Sequence, residues 1–136
     1  MLEKSLSFEK LGADGLLLIT PYYNKTNEEG MYNHFKTVAD AVHIPCILYN
    51  VPGRTGCGIS EDVVRRLSVH PNIMGIKEAS GNLSYTAKIA RYVNEDLPCI
   101  PATTTWFCHS VSGCSGVISV LANILPARPT IWSWII

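Results

Sequence analysis

The chain reads as an α/β protein built on a parallel sheet, and three observations predict that class. Short apolar, β-leaning runs alternate with amphipathic stretches of helical period, the βαβα order in which helices cover a parallel sheet. Each of the first runs closes in a loop rich in Pro, Gly, Tyr or Asn, the punctuation of a strand handing over to a helix. No repeat, linker or low-complexity segment breaks the alternation, so one domain over residues 1–136 is expected.

In order, the first strand is predicted over 14–20, closing in Thr20-Pro21-Tyr22-Tyr23-Asn24-Lys25. A helix follows over 27–42, because Met31, Phe35, Val38, Ala39 and Val42 recur on one face. The second strand, 45–50, breaks into Val51-Pro52-Gly53-Arg54-Thr55-Gly56, a Pro/Gly loop. A helix over 60–69 opens with Ser60 as N-cap and Glu61 and Asp62 in its first turn. The third strand is 72–77, and a third helix is predicted over 83–94 with Leu83, Ala87, Ala90 and Val93 on one side. Further strands are predicted near 97–101 and 116–121.

Composition narrows the function classes. With 47% apolar and 16% charged residues and a formal net charge of zero, the chain has the balance of a soluble globular protein. It shows no apolar run that could span a bilayer, no signal peptide and no basic patch. A cytoplasmic protein that binds neither membrane nor nucleic acid is expected. The five cysteines Cys46, Cys57, Cys99, Cys108 and Cys114 form no C-x-x-C pair and lack zinc-ligand spacing, so free thiols and no metal are expected. Cys108, His109 and Cys114 alone make an incomplete ligand set.

The chemistry centres on Lys77, at the end of Asn72-Ile73-Met74-Gly75-Ile76-Lys77-Glu78-Ala79-Ser80-Gly81. A lysine at the mouth of a buried strand can lose water, lower its pKa and attack a carbonyl as a free amine. Taken alone it reads as a surface lysine past a strand, but two other strands also end in chemically capable loops. One carries Tyr49 and Arg54; the other carries Tyr23, 26 residues before Tyr49. Outside this company Tyr49 would be a packing tyrosine and Arg54 a solvated loop arginine.

The Tyr-Asn-Val-Pro-Gly-Arg-Thr-Gly and Gly-Ile-Lys-Glu-Ala-Ser-Gly runs, at this mutual spacing, resemble the dihydrodipicolinate synthase branch of the pyruvate-dependent class I aldolases, which also contains N-acetylneuraminate lyase. The resemblance covers residues 1 to 100 and returns at Gly116-Val117-Ile118-Ser119-Val120-Leu121-Ala122-Asn123. It implies a (β/α)₈ TIM barrel, here incomplete, since a barrel needs roughly 200 residues or more. The strands would be its fourth to eighth. By the same resemblance Lys77 forms an imine with pyruvate, and no cofactor beyond that covalent link is implied. Tyr49 shuttles protons, and Tyr23 rather than Tyr22 is the second relay tyrosine, supplied to a neighbouring subunit of a homotetramer. Arg54 holds the carboxylate of the incoming aldehyde, aspartate semialdehyde, in lysine biosynthesis. The sialic acid lyases lack an arginine in this loop, so Arg54 favours the synthase branch. Ile118 matches a position lining the pyruvate site, though a strand isoleucine also reads as plain core.

Two departures leave other readings open. The family's Gly-Thr-Thr-Gly loop, which binds the pyruvate carboxylate, has no counterpart here. Residues 101–112 and 127–136 depart from the family pattern, yet codons read one frame over permit Gly-Asp-Asp-Asp-Leu-Val-Leu-Pro-Leu and Arg-Glu-Thr-His-Asp-Leu-Val-Met, which fit it. Frameshifts are therefore expected at both places. The alternatives to a Schiff-base lyase of the synthase type are a catalytically inactive fragment or pseudogene product, and an aldolase taking another aldehyde.

Overall fold

A computed structural model of the chain describes residues 1–92, 98–102 and 118. Four strands, β1 (Leu16–Ile19), β2 (Cys46–Asn50), β3 (Ile73–Glu78) and β4 (Cys99–Pro101), form one sheet in sequence order. All three pairings are parallel. The helices are α1 (Leu2–Lys10), α2 (Glu28–Ala41), α3 (Pro52–Thr55), α4 (Glu61–Leu67) and α5 (Leu83–Ile89), the last running into a 3₁₀ turn at Ala90–Tyr92. The predicted parallel α/β class holds. The strand expected over 116–121, both suspected frameshifted segments beyond Ala102, and Cys108, His109 and Cys114 lie outside the described residues, Ile118 excepted. Among the described residues no helix is long and apolar enough to cross a membrane.

The amphipathic pattern of α2 packs as its sequence dictates. Met31, Phe35, Val38 and Ala39 are buried, and burial of a side chain such as Phe35 stabilises the fold by roughly 1.5–3 kcal/mol. Asn27 caps the helix by accepting the Gly30 N–H at 2.9 Å. At the other end, the Asn72 side-chain amide donates to the carbonyls of Ala39 and Val42 at 3.1 and 2.9 Å, satisfying acceptors that a helix end leaves open. Ser60 caps α4 as expected, accepting the Val63 N–H. Arg66 ties α4 to α2, donating to both carboxylate oxygens of Glu29 at 2.7 and 3.2 Å while lying over the Tyr32 ring.

Three features differ from the sequence reading. The Pro/Gly loop after β2 contains the helical turn α3, with Pro52 in its first turn and Gly56 left-handed at its end, φ 68°. The N-terminal residues form α1, whose Leu2 and Leu6 pack on the core. In α5 the buried residues are Thr86 and Ile89, whereas Leu83 is 46% exposed and Ala87 faces solvent. The physical reason is size: Ile89 removes more apolar surface from water than two alanines can, so it selects the inward face. Val93 lies outside the described residues.

Burial alternates along the strands. Leu16, Leu18, Cys46, Leu48, Ile76 and Cys99 are buried in the core with the helices, and burial pushes the Cys46 thiol up to about 11. The intervening residues occupy the opposite face, where Leu17 is 51% exposed and Ile19, Ile47, Tyr49, Lys77 and Ile100 are half-buried. β3 reaches this alternation only through a register shift. Cys46 pairs with Ile73 but Ile47 pairs with Gly75, leaving Met74 as the extra residue. Because side chains alternate with period two, one inserted residue reverses the facing of everything after it. Ile73 and Ile76 are thereby both buried, and Lys77 is turned to the open face.

Candidate active site

Parallel strands bring all their C-terminal ends to one edge of the sheet. There Tyr49 and Lys77 occupy one rung of the β2–β3 ladder. The Lys77 Nζ lies over the Tyr49 ring, 4.6 Å from its centroid. At a partly exposed site such a contact is worth about 0.5–1 kcal/mol. More usefully, it sets an amine beside a phenol on one surface.

Behind this rung, on the helix-covered face, sits a second polar pair on the next rung. Asn50 and Glu78 pair in the ladder and are 2% and 3% exposed. The Asn50 Nδ2 donates to Glu78 Oε2 at 2.6 Å. The Ile59 N–H donates to Asn50 Oδ1 at 3.0 Å, and the Ser80 N–H donates to Glu78 Oε1 at 2.6 Å. The side-chain polar atoms of Asn50 and Glu78 that make these bonds each meet a complementary group, as buried polar groups usually do.

The rim is formed by two loops. Arg54 stands exposed in the last turn of α3. Tyr23 is 88% exposed in the loop after β1, and its neighbour Tyr22 is 68% exposed, so exposure does not separate them. The loops touch: the Cys57 thiol donates to the Pro21 carbonyl at 2.8 Å. The Lys25 ammonium lies against Gly56, where a Cβ would approach it to 3.4 Å. Ile118 is 46% exposed, and its N–H donates to the Pro101 carbonyl at 2.9 Å. That bond places Ile118 beside the end of β4.

Of the residues singled out from the sequence, the structure thus joins Tyr49 and Lys77 directly. It sets Tyr23 and Arg54 on adjacent loops and Ile118 past β4. It adds Asn50, Glu78 and Cys57. Glu78 carried one signal, a carboxylate directly after the strand lysine in a β-leaning run; nothing local shows that it meets Asn50, 28 residues away.

Known proteins resemble this chain in sequence and in fold. Residues 2–131 match the model of the Dihydrodipicolinate synthetase family. The 4-hydroxy-tetrahydrodipicolinate synthase of Pelobacter propionicus is 46% identical over 126 residues, 92% of this chain and 43% of that protein. The enzyme of the same name from Caldicellulosiruptor saccharolyticus is 51% identical over 125 residues, 87% of this chain and 40% of that protein. Among solved structures, the chloride-inhibited dihydrodipicolinate synthase of Acinetobacter baumannii in complex with pyruvate superposes with a TM-score of 0.83 at 43% identity, over 92% of this chain and 43% of that one. The lysine-bound enzyme of Cyanidioschyzon merolae gives a TM-score of 0.86 at 37% identity, over 97% and 45%. The chain spans less than half the length of these curated relatives. A family match over nearly the whole chain, together with relatives near half identity, shows that it belongs to the dihydrodipicolinate synthetase family.

Proposed function

We propose that these residues are the imine-forming part of a 4-hydroxy-tetrahydrodipicolinate synthase, a lyase that condenses pyruvate with aspartate semialdehyde. The single observation that carries this reading is the Lys77 amine set over the Tyr49 ring at the C-terminal edge of a parallel sheet. The four strands correspond to the fourth to seventh of a (β/α)₈ barrel, and Ile118 belongs to the eighth.

In the reaction, the Lys77 amine attacks the pyruvate ketone and water leaves, giving an iminium that withdraws electrons from the adjacent methyl carbon. Loss of a methyl proton then yields an enamine, the nucleophile towards the aldehyde. A phenol beside the amine is placed to pass protons to and from the carbinolamine oxygen, a contribution of roughly 10²–10⁴-fold. Arg54, a planar cation on the exposed rim, suits the carboxylate of the aldehyde, and Tyr23 would extend the proton relay from its neighbouring loop.

The test is mass spectrometry of the chain after pyruvate and sodium borohydride, which reduces an imine irreversibly to a carboxyethyl-lysine. The adduct is expected on Lys77 and is expected to vanish in Lys77→Ala, which removes little packing. Labelling retained in that variant, or a folded wild-type chain that takes no label, overturns the proposal.

A further inference from the structure

We propose that Asn50 and Glu78 are positioning residues, and that their buried bridge holds Tyr49 in place against Lys77. The role in catalysis rests on the reading of Lys77 and Tyr49 given above, but the geometric claim stands without it. Neither residue reaches the open face. Each directly follows a member of the reactive pair, Asn50 after Tyr49 and Glu78 after Lys77, and the two meet across the adjacent rung. A strand end is where a ladder frays most easily, because no further rungs follow it. Here the last rung of β2 and β3 is closed by side chains as well as backbone, with both partners nine-tenths buried or more.

The bridge also has a polarity. Ile59 N–H must find an acceptor, which fixes the Asn50 amide with its oxygen towards Ile59 and its nitrogen towards Glu78. Glu78 therefore has to accept from both sides, from Asn50 at one oxygen and from the Ser80 N–H at the other. The same network pins Ile59, where the chain returns from the Arg54 loop, and Ser80, where it leaves β3. One buried hydrogen-bonded chain thus fixes the amine, the phenol and both flanking loops. Together with the bulge at Met74, which turns Lys77 to the open face, it determines where the amine points and what it faces.

Polarity supplies a sharp test. Glu78→Gln sets an amide donor against either Asn50 or Ser80. Asn50→Asp sets two carboxyl oxygens against each other. The double exchange Asn50→Asp with Glu78→Gln gives every donor an acceptor again, with the central bond reversed so that position 78 donates to position 50, at the same net charge. Two readouts are taken on the folded chain, well below each variant's melting temperature. One is the ring-current shift of the Lys77 ε-methylene protons by Tyr49, by NMR of lysine-labelled protein. The other is the rate of pyruvate trapping by borohydride per folded molecule.

Both single variants are expected to lose the ring-current shift and to trap pyruvate at least roughly tenfold more slowly, the scale of one buried polar group left unpartnered. The double variant is expected to regain the shift, and trapping within about twofold of wild type, the non-additivity of a direct pair. Single variants that melt lower yet keep both readouts would show that the bridge serves stability alone. A folded double variant without the shift overturns the proposal even where a single variant fails to fold. A wild-type chain that shows the shift but never traps pyruvate contradicts the assigned reaction, while the NMR comparison still decides the positioning role.

Discussion

Gly75 offers the most direct check on how closely β3 and β4 are held. A Cβ at this position would lie 3.1 Å from the Pro98 carbonyl oxygen and 3.6 Å from its ring, closer to the oxygen than the 3.4 Å at which ordinary contact begins. That oxygen is not free to retreat, since it accepts the Ile76 N–H at 3.0 Å. Gly75→Ala must therefore spread β3 from β4 by a few tenths of an ångström, two residues before Lys77. Overpacking of this kind costs about 1–3 kcal/mol, and the lost flexibility of the unfolded chain returns about 0.4–1 kcal/mol. From the middle of the two ranges, the net destabilisation is about 1.3 kcal/mol. With a urea slope of about 1–3 kcal/mol per molar, the unfolding midpoint should fall by roughly 0.4–1.3 M. Gly53→Ala is the control, because a Cβ there meets nothing within 4 Å and Gly53 is not among the positive-φ glycines. That variant should gain about 0.5–1 kcal/mol from helix propensity in α3. If Gly75→Ala unfolds at the wild-type urea concentration or above it while Gly53→Ala behaves as expected, the close approach of β3 to Pro98 is wrong.

Two further outcomes follow from buried polar groups. His34 bonds through its Nε2 to the Ile19 carbonyl at 3.0 Å, and burial, the larger effect, holds its pKa below the usual 6.5. Between the two values the unfolded chain binds the proton and the native one resists it, so stability falls as the pH drops through 6.5 and the loss is complete below the native pKa. Urea midpoints at about pH 7.5 and about pH 5.5 should differ less in His34→Gln than in wild type, and an unchanged difference would remove His34 as the cause. The Tyr85 hydroxyl is buried without a hydrogen bond among the described residues, and burial pushes its pKa up strongly. Tyr85→Phe should therefore stabilise the chain by about 1 kcal/mol, and a lower melting temperature would show that the hydroxyl has a partner.

The candidate site residues were legible in the sequence, and the contacts that orient them were not, for a physical reason. Lys77, Tyr49 and Arg54 each sit at the end of an apolar run inside a distinctive local string, so proximity along the chain suffices to mark them. The buried face of α2 was equally plain, because five apolar residues, Phe35 among them, recur at helical spacing. In α5 the spacing of Leu83, Ala87 and Ala90 gave a rival stripe, and only packing on the sheet decides for Thr86 and Ile89. The bulge at Met74 hides for a different reason: Ile73-Met74-Gly75-Ile76 is apolar throughout, and period-two reasoning cannot detect an inserted residue where no polar residue marks the phase. Counted from Ile73 without the bulge, Lys77 would share the face of the buried Ile73 and be pressed among the helices. The bridge is hidden by distance, since Asn50 and Glu78 become partners only when two strands 28 residues apart pair in one register. Register is a non-local quantity, fixed by which face can be buried. The same helix-covered core that stabilises the sheet thus selects the register that brings Tyr49 to Lys77, so a substitution in that core which shifted β3 by one residue would disarm the site without touching either side chain.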